Sequence, residues 1–210
     1  MKTDDLCVYW SHLYHITAEI NLHSIRKAQM LWPTRALLAQ ANLPEYVRKR
    51  RTEDIVLHFQ HWPILLRNQI PLDPNSIALG SGCTLEEYIA CLNSYIFFWP
   101  GTADRATADA VRMFERTNAT RAIAIRVPTR SLVEANASLP VYVTSCNTGV
   151  TWTEQGIKAP QGPNVFKLLK SFPDEPGRIH EICFKSRICL SDNAQIAISP
   201  SGPWNSFSDI

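Results

Sequence analysis

What most constrains the fold of this chain is the order of its patterned segments. Apolar residues at helical spacing concentrate in the first half, strand patterning concentrates in the second, and no regular strand–helix–strand alternation joins them. A doubly wound parallel sheet needs that alternation, because each parallel crossover requires a long connection, usually helical. The order therefore predicts an α+β fold with mainly antiparallel strands. With 210 residues, 45% of them apolar, the chain can bury one sizeable core. Neither repeats nor a low-complexity linker interrupt it, so a single domain over residues 1–210 is expected.

Along the chain, "CVYWSHLYHIT" (7–17) predicts the first strand. Asn21 is the expected N-cap of a helix through Leu22, Ile25 and Met30 that Pro33 ends. "TRALLAQANLPEYVRKRR" suggests two short helices, broken before Pro44. From His58 to Pro74 three prolines point to an irregular connection. "LGSGC" is a turn that lacks the spacing of a phosphate loop. Thr84 with Glu87 makes a capping box that opens a helix. The strand "SYIFFWPG", the amphipathic helix "TADRATADAVRMFERT" and the strand "RAIAIRVP" follow. Later strands are expected in "VYVTSCNTGVTW", "HEICFKSRICL" and "QIAIS", and the tail at 199–210 is expected to be loosely held.

No apolar run reaches eighteen residues, so no transmembrane helix and no membrane contact are expected. The N-terminus "MKTDDLCVYW" carries acids where a signal peptide has a basic region, which points to the cytosol. Six scattered cysteines form no CxxC pair; they are expected as free thiols, with no metal site. A net charge of +2 singles out no partner. The cluster Arg48, Lys49, Arg50 and Arg51, flanked by Glu45, Glu53 and Asp54, reads either as a solvated helix end or as a patch that tracks phosphates.

Individual polar residues stay ambiguous. His15 is either a core histidine with one hydrogen bond or part of a site. Glu181, at the mouth of a half-buried strand, is either a salt-bridge partner or a positioned acid. Their order and neighbours narrow the choice. "LYHIT" followed by "NLHSI" resembles the opening of the DarT-type ADP-ribosyltransferase toxins, where a Tyr-His-x-Thr strand leads into an Asn-Leu-x-x-Ile helix. The aromatic strand "YIFFW" and a late strand opening with Glu, "HEICFKSRI", stand in the same order there. Shorter bacterial relatives share the "FFW" form. The resemblance spans roughly residues 12–198.

That resemblance implies an ADP-ribosyltransferase-like domain with a split, mostly antiparallel sheet around a NAD cleft, NAD being the co-substrate. His15 would then reach ribose hydroxyls on the adenosine side, and Thr17 would support contacts on the nicotinamide side. Asn21 would serve as cap and as a contact near the pyrophosphate. Tyr95, Phe97, Phe98 or Trp99 would stack on nicotinamide or wall the cleft, although strand alternation turns only one face to a ligand. Glu181 would be the catalytic carboxylate. Breaking the bond between ribose and nicotinamide develops positive charge on the sugar, which a facing carboxylate stabilises in the transition state. Arg105 is nearest to the arginine that these toxins carry after the middle strand; it would either grip the pyrophosphate or stand exposed on a helix.

The arginine-modifying and guanine-modifying branches carry Glu or Gln two positions before the catalytic Glu, and here Ile179 occupies that place. A nucleic-acid base, in DNA or RNA, is then the implied acceptor, with Arg48–Arg51 and the aromatic residues contacting a single strand. Family habit adds a toxin or phage-defence role and an antitoxin partner. Two alternatives stay open: an NAD-dependent RNA 2′-phosphotransferase, and a non-catalytic binding module on the same fold.

Overall fold

The computed structural model describes residues 1–117, 121–151, 153–154 and 156–207. Its helices are α1 (Thr3–Tyr9), α2 (Leu22–Ala28), α3 (Thr34–Gln40), α4 (Leu85–Leu92), α5 (Ala108–Thr117) and α6 (Thr129–Ala135). The first strands are β1 (His12–Ala18), β2 (Met30–Leu31), β3 (Ile55–Phe59), β4 (Trp62–Leu66), β5 (Ile96–Gly101), β6 (Ala122–Pro128) and β7 (Tyr142–Thr144). The rest are β8 (Thr153–Glu154), β9 (Ile157–Lys158), β10 (Lys167–Leu168), β11 (Glu181–Phe184), β12 (Ile188–Cys189), β13 (Gln195–Ala197) and β14 (Asn205–Ser206). The main sheet runs β10-β7-β11-β5-β1-β6-β13-β14, and its ladders are antiparallel. The α+β, single-domain architecture read from the segment order is therefore present.

The sheet splits between β1 and β5. β1 pairs along its length with β6, from His12↔Pro128 to Ala18↔Ala122. Against β5 it pairs only at His12↔Gly101, Leu13↔Pro100 and Tyr14↔Trp99. From His15 onward the two strands part, while the other edge of β5 pairs Phe98, Phe97 and Ile96 with Ile182, Cys183 and Phe184 of β11. Strand alternation sends Ile96 and Phe98 into the main core with Leu13, Ile125, Val127, Leu132 and Ile182. Trp99 packs with Tyr14, Ala110 and Phe114 beneath α5. Each fully buried side chain of this size contributes about 1.5–3 kcal/mol, so the split interrupts the backbone ladder while core packing continues across it.

Several local expectations are corrected. Residues 3–9 are helical, with Asp4 and Asp5 in the favourable first turn and Leu6 as the buried anchor; β1 starts only at His12. α2 stops at Ala28, because Gln29 adopts a left-handed conformation (φ 51°) and the chain leaves as β2, paired with β12. The stretch expected to be irregular contains the β3–β4 hairpin, turned by Gln60 and His61, both at positive φ (48° and 71°). The tail is held through residue 207: β14 pairs with β13, Phe207 is buried, and the Arg126 guanidinium lies 4.3 Å from the Trp204 ring centre. Residues 208–210 lie outside the described residues. The Thr84–Glu87 capping box forms as expected. No described helix is long and apolar enough to cross a membrane.

Candidate active site

The split opens into a cavity of about 660 Å³, bounded by β1, β5, the β3–β4 hairpin, α5 and the loop after β7. That size lies within the range of small-molecule and cofactor pockets. His15 stands where β1 and β5 part. Its Nδ1 is 2.9 Å from the carbonyl of Phe97, so Nδ1 carries the hydrogen and Nε2 remains an acceptor. His15 is half-buried and lines the cavity. Burial pushes its pKa down to about 4; the Phe97 bond opposes this and the nearby Arg67 charge adds to it.

Glu181 is 1% exposed and lines the same cavity. The Thr148 hydroxyl donates to Oε2 at 2.8 Å, the Thr148 N–H lies 3.2 Å from both oxygens, and the Thr144 hydroxyl lies 3.1 Å from Oε2. Burial raises the carboxyl pKa to about 7; the threonine bonds pull it down and the Asp109 charge pushes it further up. Asp109, in the first turn of α5, accepts from His180 Nδ1 (2.7 Å) and from Arg112 (2.5 Å). Burial raises the Asp109 pKa, yet those bonds and charges outweigh it and hold the carboxyl below its usual range.

The cationic cluster is divided by the fold. Arg48 and Lys49 are exposed. Arg50 donates to the carbonyls of Gln69 and Ile70 and so braces the chain after the hairpin. Arg51 is 7% exposed and lines the cavity, donating to the carbonyl of Arg67 and to Asn93 Oδ1. Arg67, at the end of β4, also lines it and donates to Thr117. Burial pushes both guanidinium pKa values down to about 10, and neither makes an ion pair among the described residues. Both remain charged at neutral pH, and among the described residues the Nη2 of each meets no protein acceptor. Such a pair calls for an anionic ligand.

The other expected residues are distributed as follows. Tyr95 and Phe97 line the cavity, and so does Trp99. Phe98 does not: alternation turns it into the core, where its ring backs His15 at 5.5 Å. Thr17 lines the cavity and accepts from Asn21 Nδ2 at 3.0 Å. Asn21 makes no side-chain cap; its amide pairs with both the N–H and the carbonyl of Leu65, fastening β4 to the end of β1. Arg105 is exposed in the loop that folds Gly101 back onto Ala106, away from the cavity. The arginines at the cavity are instead Arg51, Arg67, Arg112 and Arg116.

One family model, described as a family of unknown function (DUF7002), matches residues 11–189. The chain belongs to this family. Every residue named above as lining the cavity, from His15 to Glu181, falls within the matched span of the DUF7002 model. No curated protein matches the chain. Sequence reasoning passed over Arg67, Asp109 and Thr148. Thr148 sits in an Asn-Thr-Gly turn whose letters signalled only a turn, and Arg67 joins the site through the unforeseen hairpin.

Proposed function

We propose that this DUF7002 protein is an NAD-dependent ADP-ribosyltransferase that transfers ADP-ribose to a nucleic-acid base and releases nicotinamide. The observation that carries this reading is the meeting, in one cavity at the split of the sheet, of His15, Glu181, the buried Arg51 and the half-buried Arg67, two arginines that make no ion pair among the described residues although the charge of Asp54 reaches both. Arg51 and Arg67 match the two charges of a pyrophosphate. His15 Nε2 accepts a ribose hydroxyl, and Tyr95 and Phe97 supply apolar walls. The glycosidic bond breaks with its electron pair leaving on nicotinamide, and an acceptor atom of the base bonds to the same ribose carbon and loses its proton. Glu181, as a carboxylate, stabilises the positive charge that develops between these events.

The nucleic-acid acceptor rests on the resemblance and on exposed cations: Arg112 and Arg116 at the cavity, and Arg48 and Lys49 outside it. A cytosolic toxin or phage-defence role with an antitoxin partner rests on the resemblance alone. One observation favours a second reading, an NAD-dependent RNA 2′-phosphotransferase: His15 with Arg51 and Arg67 also suits a phosphate monoester. Glu181 has no part in that chemistry.

The test is incubation with labelled NAD and, separately, single-stranded DNA, duplex DNA, RNA, 2′-phosphorylated RNA and a protein extract. We expect label on nucleic acid, reduced about 10²–10³-fold by Glu181→Gln. Loss of the 2′-phosphate from RNA, insensitive to Glu181→Gln, would favour the second reading. NAD binding without turnover on any acceptor would leave a binding module.

A further inference from the structure

Glu181 depends on one short loop. After β7, residues 145–150 bring Thr148 to the carboxylate, so beyond the Thr144 hydroxyl at the end of β7 the carboxylate is held only as firmly as Thr148 itself. Two buried polar side chains outside the cavity wall grip that loop from behind. The Tyr88 hydroxyl, on α4, donates to the Thr148 carbonyl at 3.0 Å and accepts from Gln161 Nε2 at 3.2 Å. The same Gln161 nitrogen donates to the Val150 carbonyl at 2.9 Å. Gln161 is itself fixed by its backbone: its N–H donates to Ala78, and its carbonyl accepts from Gly80. Both side chains are essentially inaccessible. A hydroxyl and an amide at such depth cost free energy that Phe and Met would not, unless every bond is made. Here the bonds converge on one loop.

We propose that Tyr88 and Gln161 are positioning residues for Glu181: by holding the carbonyls of Thr148 and Val150 they fix the loop whose donors face the carboxylate, and with them its rotamer. The kinetic consequence rests on Glu181 being the catalytic carboxylate; the consequence for its titration does not. Other groups around Glu181 are Asp109 from α5, itself held by His180 and Arg112, Tyr88 from α4, Cys146 in the loop and Cys183 along β11. The Tyr88 hydroxyl stays neutral throughout the neutral range, since burial pushes its pKa far up. Its removal therefore deletes hydrogen bonds and no charge.

The experiment follows the labelled carboxyl carbon of Glu181 by NMR from pH 5 to 9, and NAD consumption over the same range. It compares wild type, Tyr88→Phe, Gln161→Met, Thr148→Val and the Tyr88→Phe/Thr148→Val double variant. Loosening Thr148 removes bonds that favour the charged carboxylate, so the midpoint in Tyr88→Phe should rise by about 0.5–1 pH unit. The kcat for NAD consumption at pH 7 should fall about tenfold while KM stays within about twofold. Thr148→Val keeps the backbone N–H that faces Glu181, so in that background Tyr88→Phe should move the midpoint by less than it does in wild type. A midpoint unmoved in Tyr88→Phe and Gln161→Met, or moved equally in the Thr148→Val background, overturns the proposal. A moved midpoint in a protein that never consumes NAD upholds the positioning and sinks the catalytic reading. If Tyr88→Phe does not fold, Gln161→Met carries the same expectation.

Discussion

Burial takes the pKa of Glu181 up to about 7 and that of His15 down to about 4, so the two cavity groups couple folding to pH with opposite signs. For Glu181 the unfolded chain ionises first as pH rises past its ordinary value of 4.5. Its contribution is complete below that value and is lost as pH climbs to about 7, on the order of 3 kcal/mol in total. For His15 the unfolded chain protonates first as pH falls below 6.5, so stability is lost on descent toward about 4. Between these limits the slopes oppose, and wild type should show a flat stability profile. Glu181→Gln removes one slope: from pH 4.5 to 8 its Tm should gain on wild type by about 5–10 °C. Calorimetry across that range checks this, and a constant Tm difference would contradict it. If Glu181 works as a carboxylate, activity should rise with pH through about 7. The same substitution would then stabilise the fold and abolish the chemistry.

Among the elements, the β3–β4 hairpin decides whether the cavity closes. It supplies Phe59, Ile64, Leu65, Leu66 and Arg67 to the wall, and Asn21 fastens it by matching both backbone groups of Leu65. Replacing Asn21 with Leu strands those groups, at a cost of about 1–3 kcal/mol. Hydrogen exchange should then quicken in residues 55–66, with β6 and β11 unchanged; uniform quickening would mean a global effect. This hairpin was also the part of the fold least legible in the sequence. Gln-His at the turn lacks the Asn-Gly or Asp-Gly signal of two residues at positive φ, and Pro63 argued against a strand that exists because it is an edge. The aromatic alternation of β5 and the letters around His15 and Glu181 were legible, since strand period and local motif are local properties. Arg51 was legible as a charge. Its separation from Arg48 and Lys49 was not, because the burial of one cation in a run of four depends on where a distant hairpin docks.

At the scale of the whole molecule, the split sheet brings two guanidiniums to one cavity, an arrangement that suits an anionic ligand. The buried Arg51 and half-buried Arg67 guanidiniums line the cavity and make no ion pair among the described residues; the charge of Asp54 is felt by both, but its carboxylate accepts from Asn68. Desolvating such groups costs free energy, and an anion placed between them offsets that cost. A ligand that binds only the folded state at 100 times its Kd adds about 2.7 kcal/mol, or about 5–10 °C in Tm for a chain of this size. We expect ADP-ribose and inorganic pyrophosphate to raise Tm in this range, and neutral adenosine to do far less. Arg67→Met should match or exceed wild type in Tm without ligand, since a partly desolvated charge is gone, and should lose the pyrophosphate shift. Arg105→Met, outside the cavity, should keep it. An undiminished shift in Arg67→Met would move the anion site elsewhere and remove the main support for phosphate at this cavity. A shift for pyrophosphate without one for ADP-ribose would keep the anion site but detach it from NAD.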